Sequence, residues 1–221
     1  MSRLHWGVGI FFLVAAFVLL VIVSISLPTF SAVDIVRTHF ATAPGSSSTS
    51  DTINQLRLGI WGYCVNLASD GTRDCVHAGH AYKAIFLSST GTVKAVGSGS
   101  TRGLPAHVAA AIVTLFALLF AISNHLTLML VSSLLCFIAA FITLIAFGID
   151  IGLLVSVRNT MNDLSGHTVT APGFWMTFAS IILLLLAGMT VCFRRRRSSR
   201  YDGAASTSTK GGFWPFRRNR Y

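Results

Sequence analysis

Cys64 and Cys75 are the residues of this chain best placed to do chemistry. They are eleven positions apart, with the turn signal Asp70-Gly71 between them, so an oxidising compartment would join them as a disulfide. By the chain-entropy model a ring of that size is worth on the order of 3 kcal/mol. Cys75, His77 and His80 are also clustered, which opens a metal alternative. A disulfide would consume the thiolate, however, and no second ligand pair has zinc spacing, so no metal or cofactor site is expected. Ahead of the first cysteine stands a signature, Leu58-Gly59-Ile60-Trp61-Gly62-Tyr63-Cys64. The segments Leu58–Leu67 and Ala81–Leu87 are rich in β-branched and aromatic residues and read as short strands. The expectation is a hairpin stapled at its base, with Trp61 packed against a membrane-proximal surface.

The other titratable groups are scattered. Asp150 is the one acid inside an apolar stretch, where ionisable groups are costly and usually paired. It is expected to contact a neighbouring helix as an interfacial carboxylate, or to make a proton-sensitive contact with a partner or with Arg158. His39, His77, His80, His107 and His167 fall on one predicted side of the membrane and are either ordinary surface histidines or a pH-sensitive set. Cys192 precedes a run of arginines, a juxtamembrane setting for S-palmitoylation or for a plain reduced thiol. Cys136 falls mid-span and is expected to pack. No nucleophile–base–acid set and no phosphate loop occurs, so the chain does not read as an enzyme.

The elements that must position these residues are four apolar stretches. With 53% hydrophobic and only 11% charged residues, the chain lacks the charge to cover a soluble surface. Spans are predicted over 6–27, 106–123, 126–157 and 173–193, all helical because lipid offers backbone amides no partner. The third exceeds a bilayer core and should tilt or project. The first is too long for an ordinary signal-peptide core and lacks a small-x-small cleavage site. Small residues at Ala109–Ala111, Ala139-Ala140 and Ala187-Gly188 would let helices approach closely.

Net charge is +10, but nine Lys/Arg and one Asp follow Phe193, leaving +8 in that tail and +2 elsewhere. Such asymmetry speaks for a membrane-flanking segment and against nucleic acid. Arg194, Arg195, Arg196 and Arg197 place the tail, 194–221, in the cytoplasm, and with four spans the N-terminus, 1–5, joins it there. Loops 28–105 and 158–172 then lie outside. Trp214, Arg217 and Arg218 interleave aromatic and basic groups that would lie on the anionic inner leaflet. Gly45–Thr52 and Ser88–Arg102 are Gly/Ser/Thr-rich and read as linkers. The expected fold is an all-α membrane protein: a four-helix transmembrane bundle with a small, disulfide-stapled, β-containing first extracellular loop.

The signature Gly59-Ile60-Trp61-Gly62-Tyr63-Cys64, answered by Cys75, resembles that of the fungal PalI family of four-span membrane proteins. Leu104-Pro105-Ala106-His107-Val108-Ala109, Leu144–Ile151 and Gly173-Phe174-Trp175-Met176 resemble its second, third and fourth spans. The resemblance implies a claudin-like plan at the plasma membrane. It implies a non-enzymatic accessory of ambient-pH signalling that helps a seven-span sensor assemble or reach the surface. The alternative it implies is a structural organiser of cortical domains of the eisosome type, affecting cell wall and endocytosis. The tail departs from the long tail of many PalI members.

Overall fold

The computed structural model describes residues 2–27, 32–40, 53–67, 71–79, 81–87, 93–96, 101–123, 126–162 and 166–207. Among these residues four helices, α1 (Ser2–Ser24), α2 (Ala106–Ile122), α3 (Leu126–Asn162) and α4 (Pro172–Thr207), pack side by side. Three of them hold stretches long and apolar enough to cross a membrane: Gly7–Ser24, Thr127–Asn162 and Pro172–Thr190. Helix α2 is apolar but has 17 residues. It starts behind Pro105, whose fixed φ suits a helix start, and stops at Ser123, where the backbone turns extended.

Side-chain size sorts these helices in a way water would not favour. Their shared core is built of Ala16, Ala110, Ala111, Ala117, Ala121, Cys136, Ala139, Ala140 and Ala187 around Leu13, Leu20 and Leu184. Large residues point outward: Phe11 is 68% exposed, Phe141 63% and Leu134 61%. Small residues inside and large apolar residues outside suit helices solvated by lipid, where close backbone approach drives packing. Gly188 lies against the Phe137 ring, so an added Cβ would sit 3.3 Å from it.

The chain is not all-α. Among the described residues seven strands form two antiparallel sheets. The larger has the order β4-β3-β2-β1-β7, from β1 (Val36–Phe40), β2 (Ile53–Leu58), β3 (Gly62–Leu67), β4 (Arg73–His77) and β7 (Gly166–Thr170). The smaller pairs β5 (Ala84–Leu87) with β6 (Val93–Val96). Three signals account for the extra strands. Val36-Arg37-Thr38-His39-Phe40 alternates buried and outward positions with the period of two that a half-buried strand requires. Leu58–Leu67 is the end of β2, a turn closed between Gly59 and Gly62, and β3, rather than one strand. The short second loop contributes β7, which pairs with β1 from Val36↔Thr170 to Phe40↔Gly166. Strand β6 falls within the stretch whose composition suggested a linker.

Helix α3 resolves its own excess length. Its 37 residues span about 55 Å against a hydrocarbon core of about 30 Å. Leu153, Val157 and Met161, on its last turns, join Val36, Phe40, Leu56 and Leu58 in a second core beneath the sheet. The surplus helix is therefore the platform on which the sheet lies. Helix α4 continues through Arg194–Arg197 to Thr207.

Candidate functional site

The signature is the clamp between sheet and helices. The turn from β2 to β3 closes with Gly59 N–H donating to the Gly62 carbonyl at 2.9 Å. Three donors then reach the end of α1. Ile60 N–H donates to Ser26 Oγ at 3.1 Å, Trp61 N–H to the Leu27 carbonyl at 3.3 Å, and Trp61 Nε1–H to the Ser24 carbonyl at 2.7 Å. The Trp61 carbonyl in turn accepts from Ala78 and Gly79 N–H beyond β4. Both glycines are required by closeness. A Cβ on Gly59 would lie 2.5 Å from Leu27 Cβ, and one on Gly62 would collide with the Val76 carbonyl oxygen. Trp61→Phe keeps an aromatic ring, though a smaller one, and removes the bond to Ser24. It is expected to lower stability by about 1 kcal/mol, read as an earlier thermal melt in neutral detergent.

Tyr82 locks the same turn from behind, its hydroxyl donating to the Gly59 carbonyl at 2.8 Å. Burial, with a smaller push from Tyr63, raises this phenol well above its ordinary value. A raised phenol pKa stabilises the fold in full below about pH 10 and progressively less above it, as the unfolded chain alone ionises. Alkaline unfolding should therefore steepen above about pH 10 in the parent protein and be shallower in Tyr82→Phe, as measured by circular dichroism against pH.

Cys64 and Cys75 face each other on β3 and β4 and form a disulfide, with Cα atoms 4.1 Å apart. The bond joins the middle one of five paired rungs rather than the base of the hairpin. Among the described residues no group of three His, Cys, Asp or Glu could hold a metal ion. His80 lies outside the described residues.

A second polar cluster lies where helices meet sheet. Asp150 and His107 are both fully buried, with Asp150 Oδ2 3.1 Å from His107 Nε2. His107 Nδ1 lies 2.9 Å from the Leu104 carbonyl, and Nε2 also lies 3.2 Å from Thr177 Oγ1. Donor accounting follows from the acceptors. A carbonyl can only accept, so Nδ1 carries hydrogen. Thr177 gives its own hydrogen to the Gly173 carbonyl at 3.0 Å. One proton is then shared between Nε2 and Oδ2. Asp150 Oδ1 is buried without a hydrogen-bond partner. The partner of Asp150 is thus His107 on α2 and not Arg158, which is exposed. His107 is no surface histidine. The usable signal was that each is a rare polar residue within an apolar helix. Nothing in the spacing paired them across 43 positions.

A third group covers the sheet face turned away from the helices. One rung carries Val169, Arg37, Arg57, Cys64 and Cys75, and the next on the same face, two residues along, His167, His39, Gln55, Asn66 and Arg73. His77 is exposed opposite Gly62. Gln55 Oε1 accepts from Arg57 Nε at 3.0 Å and from Asn66 Nδ2 at 2.9 Å, and Arg73 Nε donates to Asn66 Oδ1 at 3.2 Å. Arg37 makes a two-point pair with buried Asp34 at 2.8 and 2.9 Å, a bond that holds its pKa above the ordinary value. Burial first, then repulsion from Arg37, holds that of Arg57 below it. Asp34 also ties the loops together, its carbonyl accepting from Gly173 N–H at 2.9 Å.

Cys192 and Arg194–Arg197 lie on α4, and their side chains are outside the described residues, as are Trp214, Arg217 and Arg218 altogether. Cys136 is buried in the helix core and belongs to no disulfide. A family model described as SUR7/PalI family matches residues 6–198. No curated protein matches the chain.

Proposed function

This chain belongs to the SUR7/PalI family, and on that premise we propose that it is a non-enzymatic accessory of alkaline-pH signalling at a fungal plasma membrane. It assists a seven-span sensor to assemble or to stay at the surface, by contact alone. The observation that carries this reading is the clamp. Trp61, Ile60 and the disulfide hold a sheet rigidly over the helix ends, and that is how a recognition surface is presented. Four packed helices under a sheet stapled within the first loop support a claudin-like plan. In that plan all four helices span, both termini are cytoplasmic, and the sheet lies outside, where the disulfide can form. The arginines of the tail and Trp214 then hold it to the anionic inner leaflet.

Deleting the gene and plating across pH tests the reading. Growth and gene activation should fail specifically at alkaline pH, with the sensor depleted from the surface. The parent chain should restore both, and a Cys64→Ser, Cys75→Ser chain should not. Normal alkaline growth combined with static furrow-like patches and wall defects would overturn the reading in favour of a cortical organiser.

A further inference from the structure

We propose that the outward face of the five-stranded sheet is a docking surface for a linear polyanionic glycan. The inference uses the proposed placement of the sheet outside the membrane only to choose the ligand; the surface itself rests on geometry. Arg37, Arg57 and Arg73 stand on this face with His39, His77 and His167, and register places them across β7, β1, β2 and β4 of the one sheet. The strand carboxylate of the same sheet, Asp74, pairs in register with Val65, on the opposite face. Asp34 is buried and paired at two points with Arg37, so that pair is neutral overall and Arg57 and Arg73 carry the charge offered to a ligand.

The cations are also held in place. Gln55, itself nearly buried, accepts from both Arg57 and Asn66, and Asn66 accepts from Arg73. A ladder of this kind fixes side chains before a ligand arrives and removes part of the ordering cost of binding. The disulfide lies in the same rung as Arg57 and pins β3 to β4 beneath it. Neighbouring strands are about 4.8 Å apart, so five of them present charge across about 20 Å, the span of a few sugar units. Arginine forks match sulfate, phosphate and carboxylate groups, while the Gln and Asn amides and the imidazoles suit hydroxyls.

Two other polyanions fit less well. The lipid headgroups of the chain's own membrane lie on the far side of the sheet, toward the helices. Single-stranded nucleic acid is held by stacked aromatics, and the described positions of the two rungs carry no Phe, Tyr or Trp.

The test uses the full chain purified in neutral detergent, with heparin as the probe glycan. The basic tail would itself bind heparin, so the background carries Gln at all nine of its basic positions, Arg194, Arg195, Arg196, Arg197, Arg200, Lys210, Arg217, Arg218 and Arg220. Heparin should still bind this background, and should be released by salt. Adding Arg57→Gln and Arg73→Gln should weaken binding about tenfold or more. Arg73→Glu alone should weaken it too, and because Arg73 is exposed on the edge strand, that change tests the surface without entering the core. Arg102→Gln, off the sheet, should change nothing. Loss of all binding in the tail-neutralised background would overturn the proposal, as would binding unaffected by the Arg57 and Arg73 changes. Polyglutamate bound as tightly as heparin would overturn the assignment to a glycan.

Discussion

Replacing His107 by Leu is expected to destabilise the protein by about 3–5 kcal/mol, because it strands a buried carboxylate. Asp150 already has one oxygen, Oδ1, without a partner, and His107 is the group that satisfies the other. The reciprocal change, Asp150→Leu, should cost less, about 1–3 kcal/mol. There His107 keeps the Leu104 carbonyl on Nδ1 and Thr177 Oγ1 beside Nε2. The double change should lie within about 1 kcal/mol of the parent, since a buried pair replaced by apolar side chains is often neutral. Asp150→Asn should also be mild, because its amide can donate to an unprotonated Nε2 while Nδ1 keeps its hydrogen on Leu104. Thermal melting of the four chains in lipid nanodiscs gives the double-mutant cycle directly. Equal losses for the two Leu variants, with an additive double, would show that the contact carries no coupling. The cluster joins α2, α3 and α4 at the level where they meet the sheet, so its loss should loosen the platform before the rest of the helices.

Gly62→Ala is the second change of large effect. Its methyl group would enter the Val76 carbonyl oxygen, a backbone atom held in the β3–β4 ladder. No rotamer relieves a clash with backbone, so the two strands must separate. The expected loss is about 3 kcal/mol or more. Because Cys64 and Cys75 are two rungs further along the same pair, disulfide formation should fall as well. Non-reducing electrophoresis after thiol alkylation reads that fraction. Gly148→Ala is the control: nothing lies within 4 Å of the added atom, and in the interior of α3 alanine should stabilise by about 1 kcal/mol. A Gly62→Ala chain with full disulfide and a parental melt would mean that the signature glycine is not set by packing.

Legibility in the sequence followed the range of the forces involved. The helices could be read because each is a contiguous apolar run, and hydropathy is a local property. The staple could be read because both cysteines lie in one loop with a turn between them. The strands of the sheet were harder. Val36–Phe40 and Gly166–Thr170 are five residues each, and they pair with each other across more than a hundred positions. Short strands carry little local signal, and pairing alone makes them strands. The length of α3 was visible, but its use was not, since a tilted span and a projecting platform have the same sequence.

By itself, then, the sequence determined the apolar helices, the cysteine pair and the family signature, all of which are written in neighbouring residues. The tertiary structure decided what the signature glycines touch, that Trp61 is tied to the end of α1, and that β7 closes the sheet beside β1. It also decided that His107 rather than Arg158 answers Asp150. Each of these is a contact between distant segments. Burial and backbone approach select such contacts only once the helices have brought the segments together.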